Sequence, residues 1–386
     1  MLIACILDEI NYEGEEEFFM RVLFINAVCG TGSTGKITCG LAEKFESEGH
    51  EVKVAYGRDD RVPEKYRRFS VRIGTMKDVY IHALMTRLTD RHGFFSSGAT
   101  KKFLEWADDY DPDILWLHNI HGYFINIGML FTWIKSRPGM KNFWTLHDCW
   151  SFTGHCAYFT MAGCDKWMTH CDKCPQNYSY PAALINNTFR NYDDKRRLFT
   201  GVKDMTIITP SEWLAGLVKQ SFLREYPVEV RHNTINREIF RPTPSKFREK
   251  YNLEGKIIVL GVASIWEKRK GLGDFVKLSS VLDPEKFAVF LVGLTPRQIK
   301  SLPGNIIAIQ RTDSPKELAE IYTASDIFFL PSYEENYPTV SLEAQACGTP
   351  VIAYDSGGNA ETLTDPRSKL VKPGDIESVR KILESL

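Results

Sequence analysis

Two carboxylates, Glu335 and Glu343, stand eight residues apart in the string Pro331-Ser-Tyr-Glu-Glu-Asn-Tyr-Pro-Thr-Val-Ser-Leu-Glu-Ala-Gln-Ala-Cys-Gly-Thr-Pro350. Pro338 suits the first turn of a helix, where its missing N–H leaves no bond unmade. A helix opening across Tyr337, Pro338, Thr339 and Val340 offers unpaired backbone N–H groups, a place for a phosphate or a sugar hydroxyl. Carboxylates beside such a terminus accept hydrogen bonds from hydroxyls. One set would sit on a sugar and the other on a ribose. Taken singly, Glu335 reads as a charge favouring the helix dipole and Glu343 as part of a solvated helix face. Only the whole string carries information.

Other polar groups fall at comparable places. Gly30-Thr-Gly-Ser-Thr-Gly35 fits G-x-G-x-x-G and, with Lys36, the start of a P-loop. In both patterns glycines let backbone approach an anion. The P-loop reading needs Ser or Thr after Lys36, and position 37 is Ile. The dinucleotide reading needs an acid at the end of the second strand, which here ends Tyr56-Gly57-Arg58. A backbone anion cradle at Gly30, Gly32 and Gly35 and a turn needed only for tight packing both stay open. His147 ends the apolar run Phe143–Leu146, and His118 and His121 follow Ile114–Leu117. The basic triplet Lys268-Arg269-Lys270 lies beyond Ile257–Ala263, a position that disfavours a merely solvated turn. Cys156, Cys164, Cys171 and Cys174 include one C-x-x-C pair. Four thiolates suit a closed tetrahedral zinc site of structural type, with His155 and His170 as reserve ligands. Reduced, partly buried thiols are the other reading.

These residues need a frame. Short apolar runs (22–26, 52–56, 114–118, 143–147, 205–210, 257–263, 288–292, 327–331 and 350–354) alternate with stretches of helical period such as 36–48, 212–222 and 338–347. Alternation of this kind predicts an α/β chain with parallel sheets. Nine strands exceed one ordinary open sheet, and 233–246 reads as a linker. We therefore expect two Rossmann-like, doubly wound domains, 20–241 and 242–386, with the chemistry at the carboxyl ends of the strands. Residues 149–175 form a Cys-rich insert in the first. Residues 1–19 read either as an upstream-start extension or as a real extra element, with the acidic run Glu13–Glu17 ahead of a natural first strand.

Composition sets the outer bounds. The 386 residues are 43% hydrophobic and 25% charged, with 48 basic and 49 acidic side chains. That is globular composition, with no charge excess to favour nucleic acid. No apolar run reaches the roughly eighteen residues that span a bilayer. Nine cysteines are too few for a disulfide scaffold. The expectation is a cytoplasmic chain, peripheral at most to the inner face of a membrane.

The pattern Glu-x7-Glu followed by Ala-Gln-Ala-Cys-Gly-Thr-Pro resembles the nucleotide-sugar site of family 4 glycosyltransferases, retaining enzymes of GT-B fold. The likeness extends from Met20 onward. It is closest in character to members of bacterial exopolysaccharide and colanic-acid-type assembly, whose His-x-x-His-Gly segment resembles His118–Gly122. The resemblance implies two domains facing each other across a cleft. It implies a nucleotide diphosphate sugar as donor and a glycan or lipid-linked hydroxyl as acceptor. Lys270 matches the lysine that neutralises the donor diphosphate. The family's arginine six residues earlier is Ser264 here, so Lys268 or Arg269 would supply that charge. Glu335 would hold sugar hydroxyls, Glu343 the ribose, and His147 the donor sugar or the developing charge. Gly357, Gly358 and Glu361 resemble the family's second loop in the same domain. No catalytic metal is implied. A nucleotide-sugar epimerase of the same fold, a nicotinamide-dependent oxidoreductase and a non-catalytic nucleotide-sugar-binding protein are the competing readings.

Overall fold

The computed structural model describes residues 19–386, so the expected extension at 1–19 lies, but for Phe19, outside the described residues. The chain forms two compact units. The first runs to Thr209 and includes Ala215–Arg231; the second is Pro210–Leu214 with His232–Leu386. The expected division near residue 242 falls ten residues later than this one. Segment 232–241 sides with the second unit because the His232 ring stacks on Tyr337 at 4.6 Å and Asn233 donates to the Tyr337 carbonyl at 3.1 Å. Phe240 packs onto the same unit's core.

In the first unit, β1 (Arg21–Ile25), β2 (Glu51–Tyr56), β3 (Ser70–Arg72), β4 (Ile114–Leu117), β5 (Lys141–Thr145), β6 (Met205–Thr209) and β7 (Val228–Val230) form a parallel sheet ordered β3-β2-β1-β4-β5-β6-β7. In the second, β8 (Ile257–Val262), β9 (Phe287–Val292), β10 (Ile306–Ile309), β11 (Ile327–Leu330), β12 (Val351–Tyr354) and β13 (Lys369–Val371) run parallel in the order β10-β9-β8-β11-β12-β13. These are two Rossmann-like domains. In both, the strand order reverses beside the first strand, between β1 and β4 and between β8 and β11. That is the switch point where open α/β sheets bind ligands.

All nine apolar runs are strands. Central parallel strands are covered on both faces and therefore read as continuous apolar stretches; β4 and β9 are buried at every residue. Alternate residues of the second sheet feed separate layers, Val259, Leu291 and Phe329 on one side and Leu260, Phe290 and Phe328 on the other. Strands β3, β7, β10 and β13 were not anticipated. They are three or four residues long and lie at or beside sheet edges, where half-exposed positions break the apolar run.

Between Leu146 and Asn187 the first unit is irregular, with only the short turns Trp150–Phe152 and Lys166–Met168. Among the described residues no helix is long and apolar enough to cross a membrane.

Candidate active site

In the second unit, loops leaving β8, β11 and β12 meet. The Tyr333 amide donates to the Arg269 carbonyl at 2.8 Å, and Ser356 Oγ to the Ser332 carbonyl at 2.6 Å. The Gly358 amide donates to the Glu335 carbonyl at 3.0 Å. Contact this close needs glycine: a Cβ on Gly357 would stand 1.9 Å from the Glu335 carbonyl oxygen, and Gly357 has a positive φ of 57°.

This frame buries the Glu335 carboxylate and brings Lys270 onto it in an ion pair, with Arg269 at 3.5 Å. Burial opposes ionisation of Glu335. Lys270 and Arg269 outweigh it and hold the carboxyl below its ordinary value. Arg269 is braced from the far side by Glu267 at 2.8 Å. The expected diphosphate cations and the expected sugar-binding carboxylate thus form one cluster at the β8/β11 switch point.

The helix Thr339–Ala346 begins beside it, with Pro338 just ahead and no side chain capping its N-terminus. The Ser341 amide donates to the Pro338 carbonyl at 3.2 Å, which leaves those of Thr339 and Val340 ahead of it without a side-chain cap, but the side chains have other work. Val340 packs in the core, and Tyr337 is buried against His232. Glu343, half-buried, accepts the Tyr322 hydroxyl at 3.2 Å. Burial, reinforced by Glu343, raises the Tyr322 pKa and keeps that hydroxyl a donor. Glu361 spends both oxygens on the amides of Glu212 and Trp213, at 2.7 and 2.9 Å.

The first unit gathers a second cluster beyond β4 and β5. His118 Nδ1 and His147 Nε2 lie 3.0 Å apart with their rings stacked at 5.3 Å. Burial lowers both, His147 to about 4, so at neutral pH the pair shares one hydrogen between two neutral rings. His121 joins Asp148 at 3.0 Å and the Tyr180 hydroxyl at 3.1 Å. Burial works against the Asp148 carboxylate, and His121 and the Trp150 amide overcome it. Asn26, at the end of β1, accepts the Asn119 amide at 3.2 Å and so fixes the His118–His121 loop.

The glycine motif divides by role. A Cβ on Gly30 would meet the Tyr66 ring at 2.3 Å, and one on Gly35 the Gly30 nitrogen at 3.1 Å, so these two serve tight packing. Gly32 opens the helix Gly32–Ser47 in open space, and Thr31 makes no cap there. Only Gly32 offers backbone in the manner of an anion cradle.

Four cysteines of the insert, Cys156, Cys164, Cys171 and Cys174, line one pocket with His155. Cys156 hydrogen-bonds to Cys174, which lowers the Cys174 pKa and raises that of Cys156. Among the described residues no three His, Cys, Asp or Glu side chains are arranged to hold a metal ion. The thiols are gathered without converging on one point. Of the reserve ligands, His170 is bonded through Nε2 to Asp193 at 2.9 Å, whereas His155 gives only Nδ1 to Asp90 at 2.5 Å and keeps a buried Nε2 without a hydrogen-bond partner.

Sequence reasoning missed Lys195. Its run with Arg196 and Arg197 reads as a basic surface, yet only the arginines are exposed. Helical phase turns Lys195 inward, where Nζ donates to the carbonyls of Trp150 at 2.7 Å and Thr153 at 3.0 Å and lies over the Trp150 ring. Burial brings its pKa down to about 7. A lysine recurring with the buried Asn191 and Tyr192 of the same helix was the available signal.

A stability consequence follows from the histidines. Burial holds His82 (to about 3), His92, His118 and His147 (to about 4) neutral in the folded chain. Unfolded, each takes a proton below about pH 6.5, so the unfolded state binds more protons and stability falls as pH drops from there toward 4. Each contributes a slope of about 1.4 kcal/mol per pH unit. Urea melts at pH values on either side of 6.5 test this. An unchanged midpoint down to about pH 5 would contradict it.

Comparison with known proteins gives consistent results. The family model described as Glycosyltransferase Family 4 matches residues 35–239, and that described as Glycosyl transferases group 1 matches 244–386. The putative colanic acid biosynthesis glycosyl transferase WcaC of Escherichia coli K12 is 26% identical, over 92% of this chain and 88% of its own. A D-inositol 3-phosphate glycosyltransferase of Streptomyces bingchenggensis is 40% identical over 64% of this chain and 59% of its own. Among solved structures, sucrose-phosphate synthase of Thermosynechococcus elongatus superposes with a TM-score of 0.66 at 15% identity, covering 95% of this chain and 89% of its own. HepE of Anabaena, in complex with UDP, gives 0.64 at 15% identity over the same shares. At such identities the structures speak for the fold alone, the two-domain GT-B type.

Proposed function

This chain belongs to glycosyltransferase family 4, and on that premise we propose that it moves a sugar, with retention of configuration, from a nucleoside diphosphate sugar to a hydroxyl of a glycan or lipid-linked acceptor in polysaccharide assembly. The observation that carries the reading is the β8/β11 switch-point cluster, where Lys270, Arg269 and Glu335 gather beside an uncapped helix terminus. A diphosphate leaving group develops negative charge as its bond to the sugar breaks. Fixed cations and oriented amides stabilise that charge most where water is excluded. Lys270 and Arg269 would exchange Glu335 for phosphate oxygens, leaving Glu335 to accept sugar hydroxyls. Glu343, already accepting one hydroxyl, would take those of the ribose. In the first unit, His147 is neutral at assay pH, so the reading gives it hydrogen bonding to sugar rather than charge. The transferases among the relatives lend the epimerase alternative no support.

Calorimetry with a panel of nucleotide sugars tests this, beginning with UDP-glucose, which a solved HepE complex contains. We expect one donor to bind selectively. Glu343→Ala should weaken it about 10-fold or more, the worth of a hydrogen bond to a charged group, with Glu343→Gln recovering part. A folded protein that binds no nucleotide sugar, or an unchanged Glu343→Ala variant, would refute the assignment.

A further inference from the structure

The four insert cysteines share no common centre, but two of them form a pair. The Cys156 thiol donates to the Cys174 sulfur, although the two residues stand at opposite ends of the cluster in sequence. Backbone anchors hold both in place. Thr153 Oγ1 donates to the Cys156 carbonyl at 2.6 Å, and the Cys149 amide to the neighbouring Ala157 carbonyl at 2.9 Å. Gln176 Nε2 donates to the Tyr158 carbonyl at 2.7 Å, which ties the stretch after Cys156 to the stretch after Cys174.

The two sulfurs differ in surroundings. Cys156 is buried, and its donation to Cys174, followed by burial, pushes its thiol up. Cys174 is half-buried. The Cys156 thiol and the Gln176 amide stabilise its thiolate against the burial that opposes it, so its thiol is held below the ordinary value. One accessible, readily ionised sulfur thus lies against one protonated sulfur, the arrangement that thiol–disulfide exchange uses. Cys171 completes a C-x-x-C with Cys174, but it is buried, and burial pushes its thiol up to about 12. A second close pair, Cys29 and Cys39, has its sulfurs 3.6 Å apart but is only 1% and 0% exposed, which closes it to reagents.

We propose that Cys156 and Cys174 form a redox-modification site, which a low-molecular-weight disulfide of the glutathione class closes into an intrachain disulfide. The Cys174 thiolate attacks one sulfur of oxidised glutathione and expels a glutathione thiolate. Cys156 then attacks the Cys174 sulfur of the mixed disulfide and expels the second glutathione, its own proton passing to a departing thiolate. Two protein thiols are oxidised, and one glutathione disulfide is reduced to its two thiol halves. The new bond closes part of the irregular segment beyond His147, which otherwise rests on bonds such as those of Thr153 and Gln176. The inference goes beyond the proposed function and does not depend on the donor assignment.

The test is incubation of the full, folded chain with oxidised glutathione, then blocking of free thiols and peptide mapping by mass spectrometry. The link between Cys156 and Cys174 should form, dithiothreitol should reverse it, and Cys29 and Cys39 should stay free. Cys156→Ser should stop with one glutathione on Cys174, whereas Cys174→Ser should leave Cys156 unmodified. Iodoacetamide at about pH 7 should alkylate Cys174 about 10-fold faster than Cys171 in the wild-type chain, a measurement that needs no variant to fold. The oxidised wild-type chain should unfold at a higher urea concentration than the reduced one, a difference that Cys156→Ser should lack. A wild-type chain without the link, a link from Cys174 to Cys171 in its place, or equal alkylation rates would overturn the proposal. So would one equivalent of zinc carried by the purified chain and released by a mercurial, since the thiolates would then serve a metal.

Discussion

Replacing Lys270 with alanine is expected to lower kcat/KM by about 100- to 1000-fold, the scale seen when one preorganised charge-stabilising donor is removed. The size reflects two losses. The leaving diphosphate would lose the cation paired with Glu335, and Arg269, already braced by Glu267, would be left to neutralise it alone. Glu335 would also stay buried with its nearer partner gone. Its carboxyl, now held below the ordinary value, would rise because the burial opposing ionisation is no longer outweighed. A depressed carboxyl pKa stabilises the fold above its unfolded value and loses that contribution as pH falls. The variant should therefore be less stable than wild type near neutral pH, with the difference narrowing in acid. Lys270→Arg should restore part of the activity, since it keeps the charge but not the point geometry. Steady-state kinetics together with pH-dependent melts check both halves. Wild-type turnover in Lys270→Ala would remove this lysine from the mechanism.

Gly357→Ala should be equally damaging by a purely steric route. The added methyl would lie 1.9 Å from the Glu335 carbonyl oxygen, and the residue would be held at a φ of 57°. The obstructing atom is backbone, so no side chain can swing away. Either the glycine loop or the Glu335 loop must move, and the fold should lose about 3 kcal/mol or more. Donor binding should fail even below the melting temperature, because the carbonyl that moves belongs to Glu335, whose carboxylate we propose holds the sugar. Gly273→Ala is the matching control. It lies within the helix Leu272–Val281 with nothing within 4 Å of its Cβ, and alanine there should be neutral or stabilising by about 0.5–1 kcal/mol. Equal melting temperatures for the two variants would refute the argument.

The contrast between these residues shows what a sequence reveals. The placement of Glu335, Lys270 and His147 beyond buried strands was legible because parallel strands buried on both faces announce themselves as apolar runs. The pairing of Lys270 with Glu335 across 65 residues was not legible, since it depends on β8 and β11 being neighbours, a fact of topology rather than of pattern. Lys195 was misjudged for a related reason. Its flanking arginines fix the local reading as basic surface, while the carbonyls it serves lie more than forty residues away. Edge strands escaped because their exposed sides carry no periodic signal. The zinc expectation rested on spacing alone, and spacing gathered the thiols without orienting them.

The irregular stretch from Leu146 to Asn187 has a consequence for how this enzyme tolerates change. It holds its shape with almost no ladder or helix. Its carbonyls are met by side chains instead: Lys195 on Trp150 and Thr153, Asn177 on Ala183 and Ile185, Gln176 on Tyr158. Such a segment stores its conformation in a few polar anchors rather than in a repeating pattern. During divergence it is free to lengthen, shorten or exchange its tips, provided those anchors persist. The stretch that follows His147 can thus be retailored like a cassette, while the two sheets that carry the chemistry stay as they are.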